Sequence, residues 1–186
     1  MKTILQVEDD PSAVVFLKHA MKKAEVLNPI QVVTDGQQAL DYLRGDGRFA
    51  DREQFPMPCL VLLDMQLPHV MGFEVLKWIR QQPGMVVPVV ILTSSADDAD
   101  VATAYRLGAN AFLTKPSEPS VLQDMVKAIS DFWLTHNALP ERSYQGRAAA
   151  YSLPVRPAGT GISSTTGAHP PSPSKQTYQI STSLDL

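Results

Sequence analysis

A chain of 186 residues has room for one domain and an appendage. Hydrophobic residues make up 44% and charged residues 19%, a globular balance, and a net charge of -3 provides no basic field to hold nucleic acid. No apolar run approaches the roughly 20 residues that cross a bilayer, carboxylates follow Met1 too soon for a secretory signal, and the lone Cys59 excludes an internal disulfide. The expectation is a cytoplasmic protein that does not engage membranes.

Ile4–Val7 is a short apolar strand. Ala13, Phe16, Leu17, Ala20 and Ala24 recur at helical spacing over Ser12–Glu25, with Pro11 tolerated in the first turn. Ile30–Thr34 carries the β-branched pair Val32 and Val33 and reads as a strand, and Gly36–Leu43 shows a helical stripe of Ala39, Leu40 and Leu43. Arg44–Pro58 has no period and is broken by Gly45, Gly47, Pro56 and Pro58. Cys59–Leu63 is continuously apolar, the pattern of a strand buried on both faces, and Cys59 opens it as a small buried hydrophobe. Gly72–Gln82 is a helix facing inward with Val75, Leu76 and Ile79, and Pro88–Leu92 is another buried strand. Ala96–Leu107 is a helix closed by Gly108, Asn110–Leu113 a short strand, and Glu118–Leu134 a helix with Leu122, Met125, Val126, Ile129 and Trp133 on its apolar face. Beyond Pro140 the chain is rich in Ser, Thr, Pro and Gly, with too few apolar residues to offset the entropy of ordering. The division is therefore a folded domain over 1–139 and a disordered tail over 140–186.

Five strands alternating with five helices define an α/β protein. Short buried strands with helical crossovers require a parallel sheet covered on both faces, and right-handed crossovers make it doubly wound. Functional groups in such a sheet gather at the carboxyl ends of the strands. Here the first strand ends at Glu8-Asp9-Asp10, the third at Asp64, the fourth at Thr93-Ser94 and the fifth at Lys115-Pro116. Acids brought this close repel, each pair by about 4 kcal/mol at ~4 Å and an effective dielectric near 20, and a divalent cation relieves the repulsion. Mg²⁺ takes oxygen ligands, which Asp9, Asp64, the backbone carbonyl of Gln66 and, through water, Glu8 can supply. With the acids neutralised, Asp64 is a plausible nucleophile for a phosphoryl group, Lys115 a point charge for it and Thr93 a hydroxyl donor to it.

These residues resemble the receiver domains of two-component response regulators, of the chemotaxis-regulator type. The likeness runs through Val7-Glu8-Asp9-Asp10, Leu62-Leu63-Asp64-Met65-Gln66-Leu67-Pro68 with Gly72, Ile91-Leu92-Thr93-Ser94, and Gly108-Ala109-Asn110-Ala111-Phe112-Leu113-Thr114-Lys115-Pro116, in order, over about residues 1–138. The resemblance implies a flavodoxin-like receiver fold with strand order 2-1-3-4-5. It also implies a phosphorelay role: Asp64 phosphorylated by a sensor histidine kinase, with Thr93 and Phe112 as the switch pair, output through protein contacts, and no enzymatic turnover beyond the chain's own phosphorylation and dephosphorylation. The long Arg44–Pro58 segment and the ending Asp131-Phe132-Trp133-Leu134 resemble the single-domain response regulators of bacterial and cyanobacterial phytochromes. That subgroup implies a phytochrome-like kinase and a homodimer built on the last helix. Phe132 and Trp133 are adjacent, so one helix cannot bury both against the same neighbour: either one packs on the domain and the other meets a partner chain, or both pack within the domain under the following loop. His69-Val70-Met71 departs from the usual residues of the loop, and His69 is read as solvated. A haloacid-dehalogenase-type phosphatase would need an Asp where Gln66 stands, and a pseudo-receiver would lack the acceptor and charge groups that this chain retains.

Overall fold

Among the residues described by the computed structural model, 2–95 and 97–140, five parallel strands alternate with five α-helices. Apart from Pro140, the tail expected over 140–186 lies outside those residues. The strands are β1 (Ile4–Val7), β2 (Ile30–Val33), β3 (Leu60–Leu63), β4 (Val89–Thr93) and β5 (Ala111–Thr114). They pair in the order β2-β1-β3-β4-β5, so β3 is central and β2 and β5 are the edges. The register aligns Val7 with Leu63 and Thr93 with Thr114, which brings the strand ends to one edge of the sheet.

The helices are α1 (Pro11–Lys23), α2 (Gly36–Arg44), α3 (Gly72–Gln81), α4 (Asp98–Arg106) and α5 (Pro119–Ile129). Their starts follow from local capping chemistry. Asp10 accepts from the Ser12 N–H at 2.8 Å, Asp35 from Gln38 at 2.7 Å and Asp97 from Ala99 at 2.9 Å. Gly45 at φ 77 and Gly108 at φ 94 follow the last turns of α2 and α4. In both cases the next residue's N–H returns to the helix, Asp46 to the Asp41 carbonyl and Ala109 to the Ala104 carbonyl.

Alternation along the strands separates two cores. Leu5, Val7, Val61, Leu63, Val89 and Ile91 face α2, α3 and α4, while Ile4, Leu60, Leu62, Val90 and Leu92 face α1 and α5. Gln6 breaks the apolar pattern of β1 in the middle of the sheet and is buried. Cys59 is buried as well, and burial pushes its thiol up to about 11, which leaves little thiolate at neutral pH.

Two segments differ from the sequence expectation. The long loop is not irregular throughout. A 3-10 turn at Gly47–Phe49 lets Phe49 pack on Tyr42 and Phe55, with ring centroids 5.2 Å from each. The Arg52 guanidinium donates to the carbonyls of Tyr42 at 2.8 Å, Leu43 at 2.9 Å and Phe55 at 3.1 Å, tying the loop to the last turn of α2. The last helix is α-helical only to Ile129, and Ser130–His136 continues it as a π-helix. The wider turn follows from which side chain is buried. Leu134, five residues after Ile129, reaches the α1–α5 core, whereas α-helical spacing would send Trp133 there. The Asn137 N–H bonds the Phe132 carbonyl five residues back at 2.7 Å, and Lys2 Nζ donates to the Leu134 carbonyl at 2.7 Å. Trp133 is left half-buried against the core and Phe132 exposed, their rings edge-on at 4.7 Å.

Candidate functional site: an acidic cradle at the strand ends

Asp64 is the first residue after β3, and its backbone is held on both sides. Its N–H continues the sheet to the Val7 carbonyl at 3.0 Å. On its far side the first residue of α3, Gly72, presses against it. A Cβ on Gly72 would lie 2.2 Å from the Asp64 carbonyl oxygen and 2.8 Å from Met65 Cα. The intervening loop is braced by α2, since a Cβ on Gly36 would fall 2.0 Å from the Val70 carbonyl oxygen. Within the loop the Val70 N–H bonds the Pro68 carbonyl at 2.8 Å, a three-residue turn with His69 at its centre and at φ 65. His69 is exposed, as read from the sequence.

The Asp64 carboxylate is nearly buried, 7% exposed, and both its oxygens are engaged. Oδ1 accepts from the backbone N–H of Met65 at 2.6 Å and of Gln66 at 3.2 Å. Oδ2 accepts from Lys115 Nζ at 2.5 Å, and the same ammonium lies 2.6 Å from Glu8 Oε2. Lys115 is aimed there by the end of β5, where its N–H bonds the Thr93 carbonyl at 2.8 Å. Glu8, Asp9 and Asp64 each offer an oxygen within 4.8 Å of the others, Glu8 buried and Asp9 exposed.

Burial pushes the Glu8 carboxyl up from its ordinary value and the like charge of Asp64 adds to this, against the pull of Lys115. For Lys115 burial works downward, but hydrogen bonds and charge from Asp64 and Glu8 outweigh it and hold the ammonium above the usual lysine value. The lysine is therefore a fixed positive charge at neutral pH. It balances part of an acidic set that remains in excess. The donor set facing Asp9 is all oxygen, which suits a hard divalent cation such as Mg²⁺ or Mn²⁺.

The sequence-derived residues thus fall in one place. Glu8, Asp9, Asp64 and Lys115 converge, and Gln66 lies in the same turn through its N–H. Thr93 ends β4 with its side chain 1% exposed and its Oγ1 3.4 Å from the Ser95 N–H. Phe112 is half-buried on β5 and packs on the α2–α4 side of the sheet. The close packing of Gly36 and Gly72 was not foreseen. A glycine at the first position of each helix was the available signal, because a helix start has no conformational need for glycine.

This fold and this cluster define a receiver domain. Residues 4–127 match the response regulator receiver domain family, and the chain belongs to that family, whose members are phosphorylated by kinases. Among curated proteins the chain is 36% identical to response regulator Rcp1 of Synechocystis sp. over 140 residues, 75% of this chain and 93% of that one. Among solved structures it is similar to the phosphorylated cyanobacterial phytochrome response regulator RcpA, with TM-score 0.69 and 36% identity over 75% of this chain and 98% of that one. It is also similar to the Mn²⁺-bound form of Rcp1, with TM-score 0.67 and 36% identity over 75% of this chain and 99% of that one.

Proposed function

We propose that this chain is the phosphoacceptor of a two-component relay, taking a phosphoryl group onto Asp64 from a phytochrome-type sensor histidine kinase in the cytoplasm. The observation that carries this reading is the Lys115 ammonium 2.5 Å from Asp64 within a cluster of three acids. The phytochrome assignment of the partner rests on the relatives RcpA and Rcp1.

An Asp64 carboxylate oxygen attacks phosphorus, the bond to the donor's leaving nitrogen breaks, and an acyl phosphate forms. The backbone N–H groups of Met65 and Gln66 hold the other oxygen and fix the direction of attack. Lys115 passes from the carboxylate to a phosphoryl oxygen and carries part of its charge. The Thr93 hydroxyl donates to another, and Phe112 turns into the space that Thr93 leaves, altering the face formed by α4, β5 and α5. Glu8, Asp9, Asp64 and the Gln66 carbonyl would hold Mg²⁺. When bound, such a cation neutralises charge on the acids and the transferred group. The finding that Rcp1 takes Mn²⁺ supports this donor set.

Incubation of the full chain with acetyl phosphate and Mg²⁺ is expected to add one phosphoryl mass, seen by intact mass spectrometry, that EDTA prevents and Asp64→Asn abolishes. Absence of an adduct, or an adduct that persists in Asp64→Asn, overturns the reading.

The partner face follows from the last helix. Phe132 is 55% exposed while the adjacent Trp133 packs inward, so Phe132 is the residue offered to a second copy of the chain. Phe132→Ala is expected to shift the mass measured by light scattering from dimer to monomer at micromolar concentration. An unchanged mass counts against this face.

A further inference from the structure

The loop between β3 and α3 makes one turn that its sequence resists. His69 sits at φ 65 in the centre of the three-residue turn closed by the Val70 N–H on the Pro68 carbonyl at 2.8 Å. Glycine takes that conformation freely, and another residue keeps it only where the surroundings hold it. One neighbour that holds it is Gly36, buried at the first position of α2. The Cα–H bond of Gly36 that a side chain would replace points at Val70. A Cβ there would lie 2.0 Å from the Val70 carbonyl oxygen, 2.8 Å from its carbonyl carbon and 2.9 Å from its Cβ.

Gly36 is fixed from the other side. The Val33 carbonyl, three residues earlier, accepts the Glu8 N–H at 3.0 Å, and Asp35 caps α2 through the Gln38 N–H at 2.7 Å. The start of α2 is thus tied to the end of β1, which carries Glu8 and Asp9, and packs on the loop that carries Gln66. From Val70 the path back to Gln66 is short and stiff. The turn holds the Pro68 carbonyl, the proline ring fixes its own φ, and Leu67 is buried in the core.

We propose that Gly36 is a positioning residue for the cation. By packing on Val70 it holds His69 in the left-handed turn and keeps the Gln66 carbonyl within the donor set of Glu8, Asp9 and Asp64. This role rests on the reading of Gln66 as a cation ligand, and not on phosphoryl transfer. A methyl at position 36 can be relieved by a shift of α2 or by release of the turn, and the strain at His69 favours release.

The test is Mn²⁺ binding to the full chain without phosphodonor, read from the electron paramagnetic resonance signal of free Mn²⁺. Gly36→Ala is expected to weaken Mn²⁺ binding about tenfold, the effect of losing a group that supports a metal ligand. Adding His69→Gly to Gly36→Ala removes the strain of the turn and is expected to restore most of the loss. His69 is exposed, so two single variants there decide the matter even where Gly36→Ala does not fold. His69→Val puts a β-branched residue at positive φ and is expected to weaken Mn²⁺ about tenfold, while His69→Gly binds at least as tightly as the parent. Gly45→Ala, strained at φ 77 just after α2, is expected to lower the thermal midpoint and leave Mn²⁺ affinity unchanged, which separates positioning from loss of stability. Unchanged affinity in a folded Gly36→Ala or in His69→Val, no recovery in the double variant, or an equal loss in Gly45→Ala would each overturn the proposal. A parent chain that binds no Mn²⁺ would overturn it together with the cation site. A chain that binds Mn²⁺ in the expected order but takes up no phosphoryl group would refute the phosphoacceptor reading alone.

Discussion

Replacing Gly72 with alanine is expected to lower stability by about 3 kcal/mol and to slow phosphorylation of Asp64 roughly 100-fold. The new methyl would lie 2.2 Å from the Asp64 carbonyl oxygen and 2.8 Å from Met65 Cα, both backbone atoms with no rotamer to yield. Relief requires the start of α3 to move away or the Asp64–Met65 peptide to tilt. The peptide also carries the Met65 N–H that holds Asp64 Oδ1 at 2.6 Å, so either adjustment re-aims the carboxylate. Alanine is otherwise no worse a helix former than glycine, so a loss of stability points to the contact. Urea denaturation and the rate of adduct formation from acetyl phosphate check the two parts. A Gly72→Ala chain as stable and as quickly phosphorylated as the parent would show that the contact does not position Asp64.

Lys115→Met is expected to separate the two roles of the ammonium. Without it, Glu8 at 3% exposure and Asp64 at 7% lose their common partner. Removing one member of a buried ion pair costs about 3–5 kcal/mol, and the lower figure applies here because the lysine side chain is 17% exposed. The loss is expected in metal-free buffer and to be largely recovered with Mg²⁺, because a cation then meets acids with no competing ammonium. Metal affinity should therefore rise in Lys115→Met while phosphorylation slows by two orders of magnitude or more, through loss of charge stabilisation on the transferred group. Denaturation curves with and without Mg²⁺ measure the first effect and adduct formation the second. Equal stabilisation by Mg²⁺ in parent and variant would refute the competition.

The ends of β3 and β4 were the most legible, because each is a sharp boundary between a continuous apolar run and one polar residue. Val61-Leu62-Leu63 stops at Asp64 and Val90-Ile91-Leu92 stops at Thr93. A parallel sheet then forces those residues to one edge, so the cradle followed from topology before any distance was known. Phase inside the last helix was not legible. An apolar period running through Ile129 predicts Trp133 inside, and Trp133 does pack half-buried on that core, but the π-helical turn makes Leu134 the buried residue, which the period does not predict. Arg52 was equally hidden, since its role depends on carbonyls nine and ten residues back that a folded loop brings near. Gln6 passed as one polar residue in a short apolar strand, because sequence pattern records its place and not whether its amide finds a partner.

The acids of the cradle and their counter-charge arise from unlike parts of the sheet. Glu8 and Asp9 follow β1 and Asp64 follows β3, both interior strands with every residue buried. Lys115 follows β5, an edge strand and, among the described residues, the only strand without a buried residue. Amides at such a margin open at less than the global unfolding cost. A brief peeling of β5 from β4 would withdraw the lysine and leave the carboxylates standing in an otherwise folded sheet. Such a transient form would attract a cation more strongly yet be unable to stabilise an incoming phosphoryl group, so fluctuations at one border of the molecule would ration its readiness to be charged.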